Sequence, residues 1–375
     1  MGTLAQKMKV GVLTSSRADY GIYKPLLKIL HEDQSIDLQL IVFGMHLIDQ
    51  YGSSIKHIEE DAFGEIIKVE GMPEMDDLLS VSSGYGELVK QFGIFWSEHS
   101  FDCVLCLGDR FEMSAAIQAS IPFELKLVHL HGGETTLGAT DNIYRHQITL
   151  ASKLHFVATR LFKNRVAEIT GSDNNVHCVG ALSLSELEDM SLPHWEGICE
   201  EFSIPNLPFI LVTFHPETVG AEKNIQFAID VAKAMKELAK RWVMVITMPN
   251  ADVQGTVYRK MLLELKSGHP DKVHLIENFG REKYFAAMKA SEFLLGNTSS
   301  GILEAASFGK YVVNVGNRQK GRLQSRNILN STFNSSEIIR FSIEASEMGA
   351  YMGSNIYYQK NTARNILNIL KSAQL

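Results

Sequence analysis

At 375 residues with a formal charge of −7, the chain has the length of two ordinary domains and is too acidic for a broad nucleic-acid or membrane surface, so any anion must be caught in a local basic pocket. A hydrophobic fraction of 45% with 21% charged residues excludes a disordered chain and is enough to build substantial cores. Cys103, Cys106, Cys178 and Cys199 are too few and too scattered for a disulfide framework, the N-terminus has no signal-type apolar region, and no apolar run reaches the roughly 18 residues of a membrane span, so the expectation is a cytoplasmic protein.

From Met8 onward, short β-rich apolar runs alternate with amphipathic stretches, the pattern of parallel β/α units. Strands are predicted at Lys9 to Thr14, Leu38 to Phe43, Val104 to Leu107, Lys126 to His131, Leu154 to Ala158 and Val176 to Val179. Helices are predicted at Tyr20 to Leu30, Glu87 to Glu98, Glu112 to Ala119, Asn142 to Ala151 and Arg160 to Ile169. Cys103 and Cys106 lie in one of these strand runs, where alternation sends them to opposite faces as core residues. Pro193, Pro205 and Pro208 then break the rhythm, and the segment from Ser183 to Pro208 carries few regular signals, so a linker is placed near its start.

A second series follows, with strands at Phe209 to Phe214, Val243 to Thr247, Val273 to Ile276, Phe293 to Leu295 and Tyr311 to Val315. Its helices are expected around Ile225 to Leu238, Tyr258 to Leu265, Tyr284 to Ala290 and Gly301 to Ser307. The fold class is therefore α/β, with two Rossmann-like doubly wound domains facing a cleft: residues 1–184, residues 185–360, and a helix in 361–375 that packs back on the first domain.

Ligands of parallel α/β sheets gather at the carboxyl ends of strands, and the unusual residues here fall there. After the first strand comes Ser16-Arg17-Ala18-Asp19-Tyr20, where Arg17 either forks onto phosphate oxygens or pairs with Asp19 at the surface. Gly108-Asp109-Arg110-Phe111-Glu112 and His131-Gly132-Gly133-Glu134 each put a carboxylate at a strand tip, and Asp141 opens the helix that carries Arg145 and His146. Asp109 and Asp141 read equally well as helix caps, with Glu112 the capping-box partner of Asp109. Three acidic groups at neighbouring crevice positions nonetheless favour acid/base chemistry, because crowded carboxylates push one another's pKa values apart. His129 and His131 share a strand face, but no third ligand stands at a familiar spacing, so no metal or cofactor is expected.

The second half offers Phe214-His215-Pro216-Glu217-Thr218, then Gly296-Asn297-Thr298-Ser299-Ser300-Gly301 before Glu304, and finally Gly316-Asn317-Arg318-Gln319-Lys320-Gly321-Arg322. Ser299 and Ser300 at a helix start suit a diphosphate or a simple N-cap, and Glu304 one turn later suits the two hydroxyls of a ribose. Neither a Walker lysine motif nor G-x-G-x-x-G occurs.

Taken in this order, and with Gly44-Met45-His46 between them, the motifs resemble the UDP-N-acetylglucosamine 2-epimerase family, specifically its hydrolysing branch. The resemblance runs from Lys9 to about Lys371 and implies a glycosyltransferase B-type fold with the nucleotide held mainly by the C-terminal domain. It further implies that Arg17, Ser299, Ser300 and Arg318 hold the diphosphate region and Glu304 the ribose, that Arg110 belongs to the substrate- and UDP-binding set, that His215 sits near phosphate and sugar, and that Asp109, Glu134 and Asp141 are the acid/base carboxylates with Arg145 beside them. The implied reaction removes the C2 proton and UDP from UDP-N-acetylglucosamine, then hydrates the 2-acetamidoglucal to N-acetylmannosamine for sialic acid biosynthesis, in a homodimer or homotetramer. Alternatives in the same mould are the same chemistry on a UDP- or GDP-linked 2,4-diacetamido-trideoxyhexose of the legionaminic acid route, a non-hydrolysing epimerase, a B-type glycosyltransferase and a nucleotide-sugar sensor. The chain departs from many relatives in having Ile22 where they carry a lysine, and Asn142 where some carry an aspartate, which favours Asp141 as the titrating member.

Overall fold

The computed structural model describes residues 7–48, 54–72, 78–135, 137, 141–185, 187, 190–217, 221–249 and 255–373. The chain divides into two compact units: one built from Met1–Glu134, Thr140–Glu188 and Tyr357–Leu375, the other from Thr135–Ala139 and Asp189–Ile356.

The first unit is a seven-stranded, wholly parallel sheet. Its strands are β1 (Met8–Thr14), β2 (Ile36–Phe43), β3 (Glu65–Val69), β4 (Cys103–Leu107), β5 (Leu127–Leu130), β6 (Leu154–Val157) and β7 (Val176–Cys178), in the order β3-β2-β1-β4-β5-β6-β7. The near-continuous apolar runs of β1, β2 and β4 follow from burial on both faces, which parallel sheets demand. Cys103 lies in the core on one face with Leu26, Leu30 and Ile366, and Cys106 in the core on the other with Phe92 and Trp96, as strand alternation requires. The helix Thr362–Ser372 joins the first of these cores through Ala363, Ile366, Leu367 and Leu370, and Lys371 bonds Asp33 at 2.8 Å.

The second unit repeats the plan with six parallel strands: β8 (Phe209–Thr213), β9 (Val243–Thr247), β10 (Val273–Ile276), β11 (Leu294–Gly296), β12 (Val312–Val315) and β13 (Ile328–Ser331), in the order β10-β9-β8-β11-β12-β13. In both sheets the strand order reverses beside the first strand, between β1 and β4 and between β8 and β11. A crevice opens at such a reversal, outside the carboxyl ends of the strands.

The segment read as irregular before Phe209 contains the helix Trp195–Phe202, whose Ile198 and Cys199 pack against Phe209 and Leu211. Its prolines flank the helix and do not enter it, which is why their density masked it. Among the described residues no helix is long and apolar enough to cross a membrane.

Candidate functional site

The residues singled out in the sequence fall into two groups, one at each strand-order reversal. In the first unit, Ser16 caps the helix Arg17–Glu32 in a reciprocal capping box with Asp19. The Asp19 carboxylate accepts from the Ser15 backbone N–H and hydroxyl at 2.9 Å each, from the Ser16 N–H and from the Thr14 hydroxyl. His46, fully buried, bonds Thr14 at 2.9 Å and Ser54 at 2.7 Å and lies 3.8 Å from Asp19. Burial pushes the Asp19 pKa up, but the hydrogen bond and charge of His46 with the bonds from Thr14 and Ser15 outweigh it, and the carboxyl sits below its ordinary value. Asp19 thus braces the turn, while Arg17 begins the helix with an exposed side chain.

The acidic group is organised by Arg145. This buried guanidinium donates to the Asp109 carboxylate, to the Glu134 backbone carbonyl at 2.8 Å and to Asn142 Oδ1 at 3.3 Å. One side chain on the helix Asp141–Ala151 therefore ties the tips of β4 and β5 together. Arg110, not Asp109, holds the N-cap position of the helix Phe111–Ser120 and makes no side-chain cap bond, so the capping alternative for Asp109 and Glu112 does not hold. Glu112 instead turns back to Arg110 at 2.8 Å, and Arg110 also reaches Met45 Sδ. Desolvation acts to lower the Arg110 pKa, but Glu112 first, then Asp19 and Asp141, raise it above its ordinary value. That field places Asp141, the first residue of its helix, in the same acidic neighbourhood.

Glu134 is buried and accepts from His131 Nδ1–H at 2.8 Å. The tautomer follows from the other ring nitrogen, because the Leu182 N–H donates to His131 Nε2 at 3.3 Å and so fixes Nε2 as acceptor. His131 itself sits at φ +65° and Gly133 at φ +74°; a Cβ on Gly133 would lie 2.5 Å from the Phe162 carbonyl oxygen. His129 is a core residue: Nε2–H donates to the Gly108 carbonyl at 2.9 Å, Nδ1 meets Thr149, and burial lowers its pKa to about 3. No group of three or more metal-ligating side chains occurs among the described residues. Lys24 is engaged with Asp61 at 2.6 Å and lies over the Tyr20 ring.

In the second unit three loops meet at Asn297. Its side chain accepts from the His215 N–H and donates to the His215 carbonyl, both at 2.8 Å, while its own carbonyl accepts from Gln319 at 2.9 Å and from Arg318 at 3.4 Å. Glu217 accepts from the Asn317 N–H, locking the loop after β8 to the loop after β12. Gly296, at φ +147°, is forced by close approach, since a Cβ there would stand 1.8 Å from the Thr213 carbonyl. Burial and then the Arg318 charge lower the His215 pKa to about 3, so the ring is neutral at physiological pH.

Thr298 caps the short helix Ser299–Leu303 by accepting from the Ser300 N–H. The buried Ser300 hydroxyl makes no well-formed hydrogen bond and lies beside the Tyr284 hydroxyl, whose pKa burial raises and the Ser300 and Thr213 hydroxyls partly restore. Glu304 is buried one turn on. Asn297, Glu217, Gln319 and Tyr284 escaped the sequence reading as site residues. The first three stand inside the quoted motifs, where Asn and Gln at a Gly-marked strand end signal loop-tying amides; nothing local marks Tyr284. Thr218 lies outside the described residues.

The structure thus brings Asp109, Glu134, Arg145, Arg110 and Asp141 together in the first unit, and His215, Ser299, Ser300, Glu304 and Arg318 in the second. The first set can move protons; the second offers hydroxyls, a cation and helix-start N–H groups to an anion.

A family model described as UDP-N-acetylglucosamine 2-epimerase matches residues 28–371. The UDP-N,N'-diacetylbacillosamine 2-epimerase (hydrolyzing) of Legionella pneumophila is 34% identical over 371 residues, covering 98% of this chain and 96% of the relative. The GDP/UDP-N,N'-diacetylbacillosamine 2-epimerase (hydrolyzing) of Campylobacter jejuni is 30% identical over 329 residues, 88% of this chain and 85% of the relative. The crystal structure of UDP-GlcNAc 2-epimerase from Neisseria meningitidis bound to UDP-GlcNAc matches at a TM-score of 0.80 and 20% identity, covering 98% of this chain and all of that one, a likeness of fold.

Proposed function

Because the chain belongs to the UDP-N-acetylglucosamine 2-epimerase family, we propose that it is a hydrolysing 2-epimerase acting on a nucleotide-linked 2,4-diacetamido-trideoxyhexose, as the names of the Legionella and Campylobacter relatives do for theirs. Those names favour this donor over UDP-N-acetylglucosamine, the donor first expected from the motifs, which stays as the second reading. The observation that carries the chemistry is Arg145, whose one guanidinium holds Asp109 and the Glu134 loop side by side.

In this reading a carboxylate of the Asp109, Glu134 and Asp141 group removes the C2 proton while the nucleoside diphosphate leaves C1, giving a 2-acetamido glycal. Water then adds at C1, and a second carboxylate returns a proton to C2 from the opposite face. The products are free sugar, inverted at C2, and nucleoside diphosphate. The C2 proton is weakly acidic, so Arg17, Arg110, Arg318 and the Ser299–Ser300 helix start supply the stabilisation of the departing diphosphate, with Glu304 on the ribose and neutral His215 next to phosphate and sugar.

The test is a proton NMR assay in D2O with UDP-N,N'-diacetylbacillosamine, its GDP counterpart and UDP-N-acetylglucosamine, with no acceptor present. Free sugar deuterated at C2, with one nucleoside diphosphate per turnover and at least a tenfold preference for a diacetamido donor, is expected. A nucleotide-linked epimer as final product, or turnover only after an acceptor is added, would sink the hydrolytic reading. A preference for UDP-N-acetylglucosamine would transfer the assignment to the second donor.

A further inference from the structure

We propose that the first unit carries an effector site for a small anionic sugar, phosphorylated or carboxylated, in a cavity at the β7 edge of its sheet. The cavity holds about 520 Å³, within the roughly 300–1,000 Å³ of small-molecule sites. Arg160, Lys163 and Asn164 enter it from the helix Arg160–Thr170, His177 and Cys178 from β7, and Gln359 from the segment leading into the C-terminal helix. Among the described residues no carboxylate lines it, in a chain whose net charge is −7. Lys163 lies 3.7 Å from the exposed Asp173, a surface pair worth little in water, which an incoming anion displaces readily. Burial and the Lys163 charge lower the His177 pKa, so the standing positive charge comes from Arg160 and Lys163. Val176 and Ile369 add apolar wall, and the two amides add donors and acceptors: a lining suited to a sugar ring bearing an anion more than to a bare ion.

The walls of this cavity are also the supports of the Glu134 turn. On its other side the helix Arg160–Thr170 presses the Phe162 carbonyl against Gly133, and Arg165 donates to the Gly133 carbonyl at 3.0 Å. The second wall is equally connected. Gln359 donates to Cys178 Sγ at 3.2 Å, Thr362 to the Val179 carbonyl at 2.7 Å, and the Ala181 N–H to the Tyr357 carbonyl at 2.8 Å. One residue later Leu182 donates to the His131 ring that orients Glu134. An anion drawing Arg160 and Lys163 toward β7 therefore acts on both elements that set the His131–Glu134 pair, which gives the ligand a differential effect on two arrangements of one turn. The rate effect rests on the role proposed for Glu134; binding does not.

Cys178 provides a footprint, since it is half-buried in the cavity while Cys103, Cys106 and Cys199 are buried. The full-length protein, saturated with UDP so that its diphosphate site is filled, is labelled with a maleimide, and Cys178 modification is followed by mass spectrometry. The probes are glucose 6-phosphate, glucuronate, inorganic phosphate and an ionic-strength-matched KCl control. We expect saturable slowing of at least threefold by glucose 6-phosphate or glucuronate, whichever anion the site prefers, and at least a twofold change in kcat/KM by the same probe without added UDP. Both effects should vanish in the R160E/K163E double variant, whose UDP affinity and basal rate stay within twofold of the parent. Slowing no greater than with KCl, or equal in the double variant, overturns the site. Equal protection by inorganic phosphate overturns the sugar assignment, and saturated protection with an unchanged rate overturns the effector role while leaving the proposed reaction untouched.

Discussion

Arg145 is buried, fixed at three acceptors and reachable from two strand tips, so its removal takes a donor from Asp109 and from the Glu134 carbonyl at once. Arg145→Lys, which keeps the charge but loses the planar fork, should lower kcat about 100-fold or more with UDP affinity within about threefold. Asp109→Asn should do the same; steady-state kinetics beside calorimetric UDP titration reads both, and near-normal kcat in both variants would refute the carboxylate mechanism. Arg318→Ala should act the other way, weakening UDP by about tenfold or more, and a lost rate with unchanged UDP affinity would count against its role. At this scale the sequence showed which side chains sit at strand tips and left their partners open. Asp109 and Arg145 are 36 positions apart, and Glu112, which the sequence offers as the capping-box partner of Asp109, sets its carboxylate on Arg110 instead. Local spacing cannot rank a cap against a distant salt bridge, because both satisfy the same carboxylate.

Elements were legible wherever both faces of a strand are buried. The runs of β1, β4 and β9 lie within a residue of their predicted bounds, since continuous apolar sequence bounded by glycine or charge has few other uses. Of the four edge strands, β7 and β10 were read and two were missed: β3 sets two isoleucines between charges, and β13 is half-buried with Asn330 exposed, so neither carries the core signal. Two element-level outcomes follow. Gly296→Ala sets a methyl against the Thr213 backbone at a φ that L-residues avoid, and should cost the second unit about 3 kcal/mol or more. Leu370→Ala removes a fully buried anchor of the C-terminal helix and should cost the first unit about 2–5 kcal/mol. Denaturant unfolding of the full chain measures each, and a loss under 1 kcal/mol in either would contradict the packing described.

For the whole molecule, buried neutral histidines make stability depend on pH in a defined direction. Burial holds His129 at about 3 and His155 at about 4, both below the ordinary 6.5, so between pH 6.5 and 4 the unfolded chain binds protons that the native chain refuses. Their contribution is complete above pH 6.5 and is lost as pH falls, about 2 kcal/mol each by pH 5. Calorimetric Tm should therefore drop between pH 7 and 5, above the range where ordinary carboxylates titrate; a flat profile would mean that these rings are not buried as described. The first unit draws its core from both ends of the described chain, because Ile366, Leu367 and Leu370 pack beside Leu26 and Leu30. During synthesis on the ribosome, every strand of the second sheet has emerged before that core can close. The half translated first is therefore the half finished last, and until residue 370 arrives it stands open to chaperones and proteases.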